Sequence, residues 1–274
     1  MCDIPGVRIG KVLVGGRAPL VAICGPCVIE SRAHTLRMAE AVKAAGWDAS
    51  VPVIFKASFD KANRTSLGGA RGVGLVKGAA ILDEVRRETG LPVVTDVHDE
   101  AQVAVLGEVV DMLQIPALLC RQTDLLVCAG ATGLPVMVKK GQFMAPEAMA
   151  GAVEKVESGG GGGVLLCERG TSFGYGRLVN DMRGLEIMRG LGVPVVFDAT
   201  HSVQEPGGLG ARSGGQRRHV PALARAAVAV GVDAVFLEVH DEPDRALSDG
   251  PCVWPVERLA GLLRQLRAID EVVK

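Results

Sequence analysis

Short apolar runs recur along this chain, and most of them are separated by a stretch with helical character. The eight runs cover residues 20–24, 53–55, 92–95, 112–115, 135–138, 164–167, 194–197 and 234–237. Such continuous apolar runs are typical of parallel strands that helices cover on both faces of a sheet. Eight strand–helix repeats in 274 residues predict a closed (β/α)8 TIM barrel of the α/β class. An open, doubly wound sheet is the alternative architecture.

Capping residues mark several of the helices between these runs. Ser31 can cap a helix that extends toward Gly46, and Pro146 suits the first turn of a helix that extends to residue 157. Further helical patterns cover residues 74–88, 215–230 and 255–272. Residues 6–15 resemble a short N-terminal β-hairpin ahead of the barrel. Because no linker interrupts the series, we expect a single domain over residues 1–274.

The composition supports this fold and excludes several classes of protein. Hydrophobic residues make up 48% of the chain and aromatic residues only 3%, so the core must consist mainly of aliphatic side chains. The formal net charge of −1 gives no reason to expect a nucleic-acid or membrane partner. Seven cysteines, an odd number, indicate free thiols in a reducing compartment. With no signal-peptide pattern and no apolar run of membrane-spanning length, we expect a soluble cytoplasmic protein.

A polar or reactive residue follows each predicted strand. In a (β/α)8 barrel the carboxyl ends of the strands meet at one face, and the active site lies there. Any one of these residues could be a polar group satisfied near the surface, but the whole set predicts a large polar site. In chain order the set is Cys27, Lys56, Asp96, Gln114, Lys139, Glu168 with Arg169, Asp198 with His201, and Glu238.

Closure of the barrel would bring part of this set together as a metal site. Strands seven, eight and one become neighbours, so Cys27, His201 and Glu238 converge. Asp249, in the loop after strand eight, is within reach of them, and Cys252 is a minor rival ligand. A thiolate, an imidazole and two carboxylates suit a divalent ion such as Zn²⁺, Fe²⁺, Mn²⁺ or Co²⁺. A lone cysteine is more often an inert buried thiol, so the prediction depends on the four residues together.

Two groups of cations predict pockets for anionic oxygens. Lys139 and Arg169 follow the neighbouring strands five and six and can hold a phosphate. The loop at residues 55–66, after strand two, offers two lysines, an arginine, an asparagine and several hydroxyl groups. Such a loop is usually a solvated surface, but its position after a buried strand favours substrate binding. Glycine-rich residues 204–216, after strand seven, suggest a mobile lid.

Other residues of reactive type are left out of the predicted chemistry. Cys24 and Cys27 form a C-x-x-C, but the strand and loop around them lack the context of a thioredoxin-like redox site. Five glycines at residues 159–163 precede a strand instead of opening a helix, which makes a phosphate-binding role weak. The histidines left out are His34, His98, His219 and His240.

The motifs of the chain also resemble those of a known family. They are residues 25–31 (GPCVIES), 55–66 (FKASFDKANRTS), 95–98 (TDVH), 111–125 (DMLQIPALLCRQTDL), 138–143 (VKKGQF), 167–170 (CERG), 197–204 (FDATHSVQ), 213–216 (SGGQ) and 248–251 (SDGP). Over nearly its whole length the chain resembles the 3-deoxy-D-manno-octulosonate 8-phosphate synthases. Residues 61–64 (KANR) discriminate best, because the related erythrose 4-phosphate synthase usually carries a Lys-Pro-Arg-Thr type of motif there.

The resemblance implies an activity and an assembly. The family condenses phosphoenolpyruvate with D-arabinose 5-phosphate, releases inorganic phosphate and supplies lipopolysaccharide synthesis. Its members are homotetramers, and those with cysteine at the position of Cys27 depend on a metal ion, whereas those with asparagine do not. Lys61, His201 and Asp249 would be the catalytic residues. The alternatives are the erythrose 4-phosphate synthase, a sialic-acid-type synthase, and a sugar-phosphate sensor without catalytic activity.

The same resemblance implies the substrate contacts. Lys139 and Arg169 would hold the phosphate of phosphoenolpyruvate, and Arg121 would reach the sugar phosphate of a neighbouring subunit. Thr65 stands where the family has serine and keeps the hydroxyl group. The pocket for phosphoenolpyruvate would be completed by Ser58, Lys61 and Gln114. The residues assigned to the sugar and its phosphate are Lys56, Asn63, Arg64, Thr65 and Asp96.

Overall fold

A closed ring of eight parallel strands forms the centre of the protein. The computed structural model describes residues 4–64, 66–210 and 213–274. The barrel strands, β1 to β8 in chain order, are Val21–Gly25, Val53–Lys56, Val93–Asp96, Met112–Ile115, Val136–Lys139, Val164–Glu168, Val195–Asp198 and Ala234–His240. Each strand pairs in parallel with the next, and β8 pairs with β1. The predicted (β/α)8 barrel is confirmed, and the open doubly wound sheet is wrong.

Eight α-helices within the described ranges surround the barrel, one after each strand. Helices α1 to α8 are Arg32–Ala49, Leu75–Thr89, Glu100–Leu106, Thr123–Ala131, Ala150–Ser158, Arg183–Arg189, Val220–Val230 and Leu259–Val273. Six short 3-10 segments in the same ranges are Ala117–Leu119, Glu147–Met149, His201–Val203, Arg217–His219, Pro243–Arg245 and Val256–Arg258. Among the described residues, no helix combines the length and the apolar character that a membrane crossing needs.

Prolines shift three strands one residue later than the sequence predicts. The carbonyl oxygens of Pro92, Pro135 and Pro194 accept hydrogen bonds from neighbouring strands. Proline has no N–H of its own to donate, so each strand begins at the following valine. The same three strands therefore end at Asp96, Lys139 and Asp198, which places those polar residues on the rigid sheet.

The Ser31 cap of α1 is confirmed, but the predicted end of that helix is wrong. The Ser31 hydroxyl oxygen accepts a hydrogen bond from the His34 N–H at 3.2 Å. Gly46 lies inside the helix, where a Cβ would come within 2.3 Å of Val53 Cγ2. Glycine is needed there because α1 packs closely on β2. The helix ends at Ala49, and its C-cap residue Ser50 adopts the left-handed conformation with a φ of 54°.

The predicted starts of two helices were early because short strands intervene. Gly214–Gly215 pairs with Gln204–Glu205, and Trp254–Pro255 pairs with the end of β8. Both pairs lie around the carboxyl end of the barrel. Consequently α7 begins at Val220 and α8 at Leu259.

The predicted N-terminal hairpin is confirmed, and it closes the amino end of the barrel. Its strands, Val7–Ile9 and Val12–Val14, pair in antiparallel fashion. Their four buried side chains join the apolar cluster that fills the barrel interior. A separate, larger cluster lies between the strands and the helices. The interior cluster also contains Val21, Ile23, Ile54, Val94, Met112, Met137, Leu165, Cys167, Val196, Ala234 and Phe236.

The glycine run at residues 159–163 lies at this closed end. Gly163 has a φ of +119°, and a Cβ there would come within 2.8 Å of Val7 in the hairpin. A Cβ on Gly162 would come within 2.3 Å of the Gly133 carbonyl oxygen. Close packing therefore explains the glycines at 162 and 163, and the run lies at the end of the barrel opposite the strand-end site.

Candidate active site

The carboxyl ends of the strands surround an open cavity of about 1580 Å³. Ser58 lies behind the lining, fully buried, and accepts a hydrogen bond from Lys61 Nζ at 2.9 Å. Cys27 is also buried and is linked to the cavity through Asp249. The predicted residues that line the cavity are Lys56, Lys61, Asn63, Arg64, Asp96, Gln114, Lys139, Arg169, His201, Glu238 and Asp249.

The four residues predicted to bind a metal lie together at one side of this cavity. Ligand atoms of Cys27, Glu238 and Asp249 lie within 4.8 Å of one another. Cys27 Sγ donates a hydrogen bond to Asp249 Oδ2 at 3.2 Å. His201 Nε2 lies 3.6 Å from Glu238 Oε2. The pairing of β7 with β8 and of β8 with β1 brings these residues together, as barrel closure requires.

The charges of this group suit a divalent cation. Burial raises the pKa of the Glu238 carboxyl, but Lys56 and His201 lower it more, so that it lies below its ordinary value. Burial also raises the pKa of Asp249, but His201 and Lys61 lower it below its ordinary value. Burial and the charge of Glu238 raise the pKa of the Cys27 thiol well above its ordinary value. Two ionised carboxylates, an imidazole and a thiol that would lose its proton to solvent when a cation binds form a donor set that fits Zn²⁺ or a similar ion.

Two lysines lie next to the predicted metal-ligand group (Cys27, His201, Glu238 and Asp249), on the side of β2. Lys56 Nζ donates to Glu238 Oε1 at 2.7 Å and to the Cys27 carbonyl oxygen at 3.0 Å. Lys61 Nζ lies 3.8 Å from the same Glu238 oxygen. Burial lowers the pKa of Lys61, but the charges of Cys27 and Glu238 raise it above its ordinary value. Both lysines therefore place positive charge beside the site where an anionic substrate would bind.

A second cationic region is formed by Lys139 and Arg169, as the sequence predicts. Lys139 Nζ lies 3.3 Å from the Phe236 ring centroid. Arg169 is 6% exposed, and its NH1 atom has no hydrogen-bond partner. The buried Gln114 Oε1 also lacks a partner. Buried polar groups are nearly always satisfied, so unpaired ones at a cavity wall are available to bind a ligand.

A third region, near the loop after β2, carries further unpaired polar atoms. Arg64 donates from NH1 to Ser248 Oγ at 2.7 Å, while its buried NH2 atom has no partner. Asp96 Oδ1 is likewise unpaired, and its Oδ2 contacts His98 Nε2 at 3.1 Å. Asn63 is exposed on the cavity lining. These atoms can bind the hydroxyl and phosphate groups of a sugar phosphate.

Comparison with known proteins shows the family of this chain. The sequence profile of the DAHP synthetase I family matches residues 4–274. This chain belongs to the DAHP synthetase I family. The 2-dehydro-3-deoxyphosphooctonate aldolase of Geobacter metallireducens is 58% identical over 268 residues, which cover 98% of each chain. The proteins of the same name from Syntrophotalea carbinolica and Bartonella quintana are 57% and 53% identical, over 98% of this chain and 97% and 96% of theirs.

These relatives confirm the resemblance to the octulosonate phosphate synthases that the motifs predict. The chain is therefore an enzyme of the DAHP synthetase I family. Thr65 lies outside the described residues. Arg121 is exposed and absent from the cavity lining, and its carbonyl oxygen accepts a hydrogen bond from Lys155 Nζ.

Asp198, which the sequence predicts only as one of the strand-end polar groups, and Gln204, predicted only as the start of a lid, hold other site residues of this family member in place. Asp198, at the end of β7, is fully buried and pairs with both Lys139 and His201. Gln204 bonds to two further residues of the site. Both residues stand at or just after a strand end, so the sequence located them. Their partners depend on side-chain geometry, which the sequence does not reveal.

A second cluster of histidine and carboxylate groups lies beside the site of this enzyme. Ligand atoms of Glu30, His34 and His240 lie within 4.8 Å of one another. His240 Nδ1 accepts a hydrogen bond from the Glu242 N–H, so Nε2 carries the proton and donates to Glu30 Oε1. An imidazole in this tautomer has no lone pair left for a metal. Glu30 Oε1 also accepts a hydrogen bond from the Leu247 N–H, so the cluster anchors the loop after β8.

Proposed function

We propose that this enzyme condenses phosphoenolpyruvate with D-arabinose 5-phosphate and water. The products are 3-deoxy-D-manno-octulosonate 8-phosphate and inorganic phosphate, and the reaction supplies lipopolysaccharide synthesis. Relatives that share 52–58% of their residues with this chain carry the name 2-dehydro-3-deoxyphosphooctonate aldolase. The observation that carries the proposal is the presence of two guanidinium groups on one cavity, those of Arg169 and Arg64, each with a buried and unpaired nitrogen atom. Two phosphorylated substrates need two such pockets.

The phosphoenolpyruvate pocket is proposed at the ends of β5 and β6. Lys139 and Arg169 hold its phosphate, and Gln114 lines the same pocket. Ser58 and Lys61 hold its carboxylate. The hydrogen bond between Lys61 and Ser58 fixes both groups before the substrate arrives, which reduces the entropy lost on binding.

The sugar phosphate is proposed to bind at the ends of β2 and β3. Arg64 and Thr65 hold its phosphate, whereas Lys56, Asn63 and Asp96 contact the sugar. The Asp96 carboxylate stays ionised: burial raises its pKa, but the His98 hydrogen bond and Lys61 lower it far below its usual range. An ionised carboxylate is a strong acceptor for sugar hydroxyl groups.

The reaction joins the enol carbon of phosphoenolpyruvate to the aldehyde carbon of the sugar. Water adds to the neighbouring enol carbon, and the tetrahedral intermediate then loses phosphate. Cations on both pockets offset the repulsion between the two polyanions, so that the two carbons can approach. We propose that Lys61, whose raised pKa keeps its Nζ protonated, donates a proton to the alkoxide that forms from the aldehyde oxygen.

A divalent ion is proposed to complete the site, held by Cys27, His201, Glu238 and Asp249. Such an ion would polarise the aldehyde oxygen or lower the pKa of a bound water. The catalytic role of His201 and Asp249 is then to fix the ligand geometry. The donor types and their convergence support this proposal.

Phosphate release tests the proposed function directly. Purified enzyme should release phosphate from phosphoenolpyruvate in the presence of D-arabinose 5-phosphate and divalent metal. Erythrose 4-phosphate and N-acetylmannosamine should give at least about tenfold lower kcat/KM, because each leaves part of the sugar pocket unfilled. Equal use of both aldose phosphates would contradict the substrate assignment. Binding of the sugar phosphate without any phosphate release would favour a sensor.

The assembly is proposed to be a homotetramer, in which Arg121 reaches the sugar phosphate of a neighbouring subunit. The family resemblance and the exposed position of Arg121 support this. An Arg121→Ala protein mixed with a Cys27→Ala protein should regain activity through hybrid sites. Verified mixed oligomers that stay inactive would count against the role of Arg121 across subunits.

The described cysteines are all free thiols, which supports a cytoplasmic location.

A further inference from the structure

Asp198 connects the phosphate pocket with the metal-ligand group. Its Oδ2 atom accepts a hydrogen bond from Lys139 Nζ and another from His201 Nδ1, the latter at 2.7 Å. Its Oδ1 atom accepts from Thr200 Oγ1 at 3.1 Å and from the His201 N–H at 2.9 Å. The carboxylate is fully buried and both of its oxygen atoms are engaged in hydrogen bonds. One oxygen atom is thus shared between a phosphate-binding cation and a metal ligand.

Gln204 forms a second bridge of the same kind. Its Oε1 atom accepts a hydrogen bond from Arg169 NH2 at 2.9 Å. Its Nε2 atom donates to Asp249 Oδ1 at 2.7 Å. Because Arg169 NH1 is unpaired, the bridge holds the guanidinium with one edge free for a ligand. The amide again has a phosphate-binding cation on one side and a metal ligand on the other.

We propose that Asp198 and Gln204 are positioning residues that couple the two pockets, so that metal binding and phosphoenolpyruvate binding strengthen each other. The inference rests on the proposed function, since it takes the two pockets as defined there. Beyond that function, the inference is that the metal regulates the affinity of the enzyme for phosphoenolpyruvate. The coupling passes through hydrogen bonds that join charged groups, and such bonds are the strong ones in proteins.

The physical reason for the coupling differs between the bridges. A cation at His201 Nε2 withdraws electron density from the ring and makes Nδ1–H a stronger donor to Asp198. Oδ2 then holds Lys139 less strongly, and the ammonium is freer to bind phosphate. A cation at Asp249 fixes the carboxylate, and with it Gln204 and the Arg169 guanidinium. By thermodynamic linkage, bound phosphoenolpyruvate must raise the metal affinity by the same factor.

Titration calorimetry of the whole enzyme, without the sugar, measures the coupling. The dissociation constant of phosphoenolpyruvate is compared between protein stripped by chelation and protein saturated with Mn²⁺. We expect binding to tighten at least about fivefold in the presence of Mn²⁺, the lower bound of typical coupling. Asp198→Asn and Gln204→Leu should each reduce this ratio, and together they should bring it close to one. Ser202→Ala is the matched control, because Ser202 is buried and bonds to the main-chain oxygen of Asp198 but to neither end of a bridge.

The reciprocal measurement distinguishes coupling within the protein from direct binding of Mn²⁺ by phosphoenolpyruvate in solution. Mn²⁺ affinity, followed by electron paramagnetic resonance, should increase by the same factor when phosphoenolpyruvate is present. Phosphoenolpyruvate binds Mn²⁺ weakly in solution, and the Cys27→Ala protein, which lacks a metal ligand, gives that background. A merely structural role of the bridges would lower affinities without changing the ratio between them.

The outcomes separate this inference from the proposed function. Equal phosphoenolpyruvate affinity with and without Mn²⁺ in the wild-type enzyme overturns the coupling and leaves the proposed function intact. Absence of phosphoenolpyruvate binding in both forms overturns the two together. Variants that fold and keep the full wild-type ratio also overturn the role of the bridges. Gln204 is only half-buried, so Gln204→Leu decides the question even where Asp198→Asn does not fold.

Discussion

The two ends of the barrel differ in the kind of group that they bury. At the amino end, the hairpin strands Val7–Ile9 and Val12–Val14 place four apolar side chains against the barrel interior. At the carboxyl end, the buried groups are ion pairs, such as Lys56 with Glu238 and Lys139 with Asp198. Apolar burial stabilises by about 25 cal/mol per Å². A buried ion pair contributes little net stability, because desolvation offsets the attraction.

This difference indicates that the amino end of the barrel contributes mainly to stability and that the carboxyl end carries the chemistry. Charges that add little net stability lie at the carboxyl end, where the proposed substrates and metal ion would need them. We therefore expect substitutions at the cavity to change activity more than stability. Substitutions at the closed end should do the reverse. Each experiment below measures both quantities, so that either half of the comparison can fail.

Cys27→Ala should have the largest effect, and the effect should fall on activity. Loss of the thiolate removes one ligand, and we expect the protein to lose its metal and turnover to fall by roughly a thousandfold, the several kcal/mol that a catalytic metal supplies. The free energy of unfolding should change by only about 1 kcal/mol. Metal content by mass spectrometry and the phosphate-release rate test this. Full activity in wild-type protein shown to be free of metal would contradict the metal proposal.

Cys27→Asn sharpens the same prediction, since asparagine occupies this position in the metal-independent members that the resemblance implies. We expect this variant to retain part of its activity, and chelators should no longer affect that part. The wild-type enzyme under the same chelation should be inactive, and added Mn²⁺ or Zn²⁺ should restore it. A variant that stays sensitive to chelation would refute the prediction.

Arg64→Ala should raise the KM for D-arabinose 5-phosphate by about 10- to 100-fold, because a charge-assisted hydrogen bond of about 1.5–3 kcal/mol is lost. The KM for phosphoenolpyruvate should change less than about twofold, since Arg64 is assigned to one phosphate only. Arg71→Ala is the control: Arg71 lies in the same loop but pairs with Asp60 at the surface. If the KM values of both substrates rose equally, the assignment of Arg64 would be wrong.

Gly163→Ala should act on stability alone, by about 1–3 kcal/mol. The added Cβ combines a strained positive φ with a contact of 2.8 Å to Val7. Gly160→Ala is the matched control, because Gly160 has a φ of +88° but open space around it. The difference between the two denaturant midpoints isolates the contact with the hairpin. A loss of kcat/KM in folded Gly163→Ala would show that the two ends are not independent.

The smallest expected effect is a dependence of stability on pH at the carboxyl end. Burial lowers the pKa of His98, but the Asp96 carboxylate raises it above the ordinary 6.5. The stability from this pair is fully present below pH 6.5 and is lost as the pH rises through the raised pKa. His98→Gln should therefore destabilise by about 1 kcal/mol at pH 6, the typical contribution of a hydrogen bond, and by less at high pH. The effect of Gly163→Ala should not vary with pH, and a His98→Gln effect equally constant would contradict the assignment.

The barrel could be predicted because its signal is local. Each buried strand corresponds to a short apolar run in the sequence, and the number of runs with intervening helices predicts the architecture. The errors arose where a residue serves a tertiary contact. The sequence predicts a helix end at Gly46, but this glycine permits close contact with Val53. It predicts a helix from Gly215, but this residue pairs with Gln204 in a short strand.

The site could be predicted in outline because a barrel places every strand end on one rim. This rule alone located Lys139, Arg169 and Glu238. The partner of each charge depends on rotamers and distances of a few ångströms, so the bridges through Asp198 and Gln204 could not be predicted. The role of Arg121 across subunits stays a prediction, and Thr65 lies outside the described residues.

The ion pair between Lys56 and Glu238 has a consequence for the order of folding. The two residues are 182 positions apart in the chain, and β8 pairs with β1. Contacts of such long range form late, since the entropy of closing a large loop must be overcome first. During synthesis the first strands leave the ribosome well before Glu238 exists. The proposed metal-ligand group therefore cannot assist early folding, and Cys27 remains without its neighbours Glu238 and Asp249 until the last strand closes the ring.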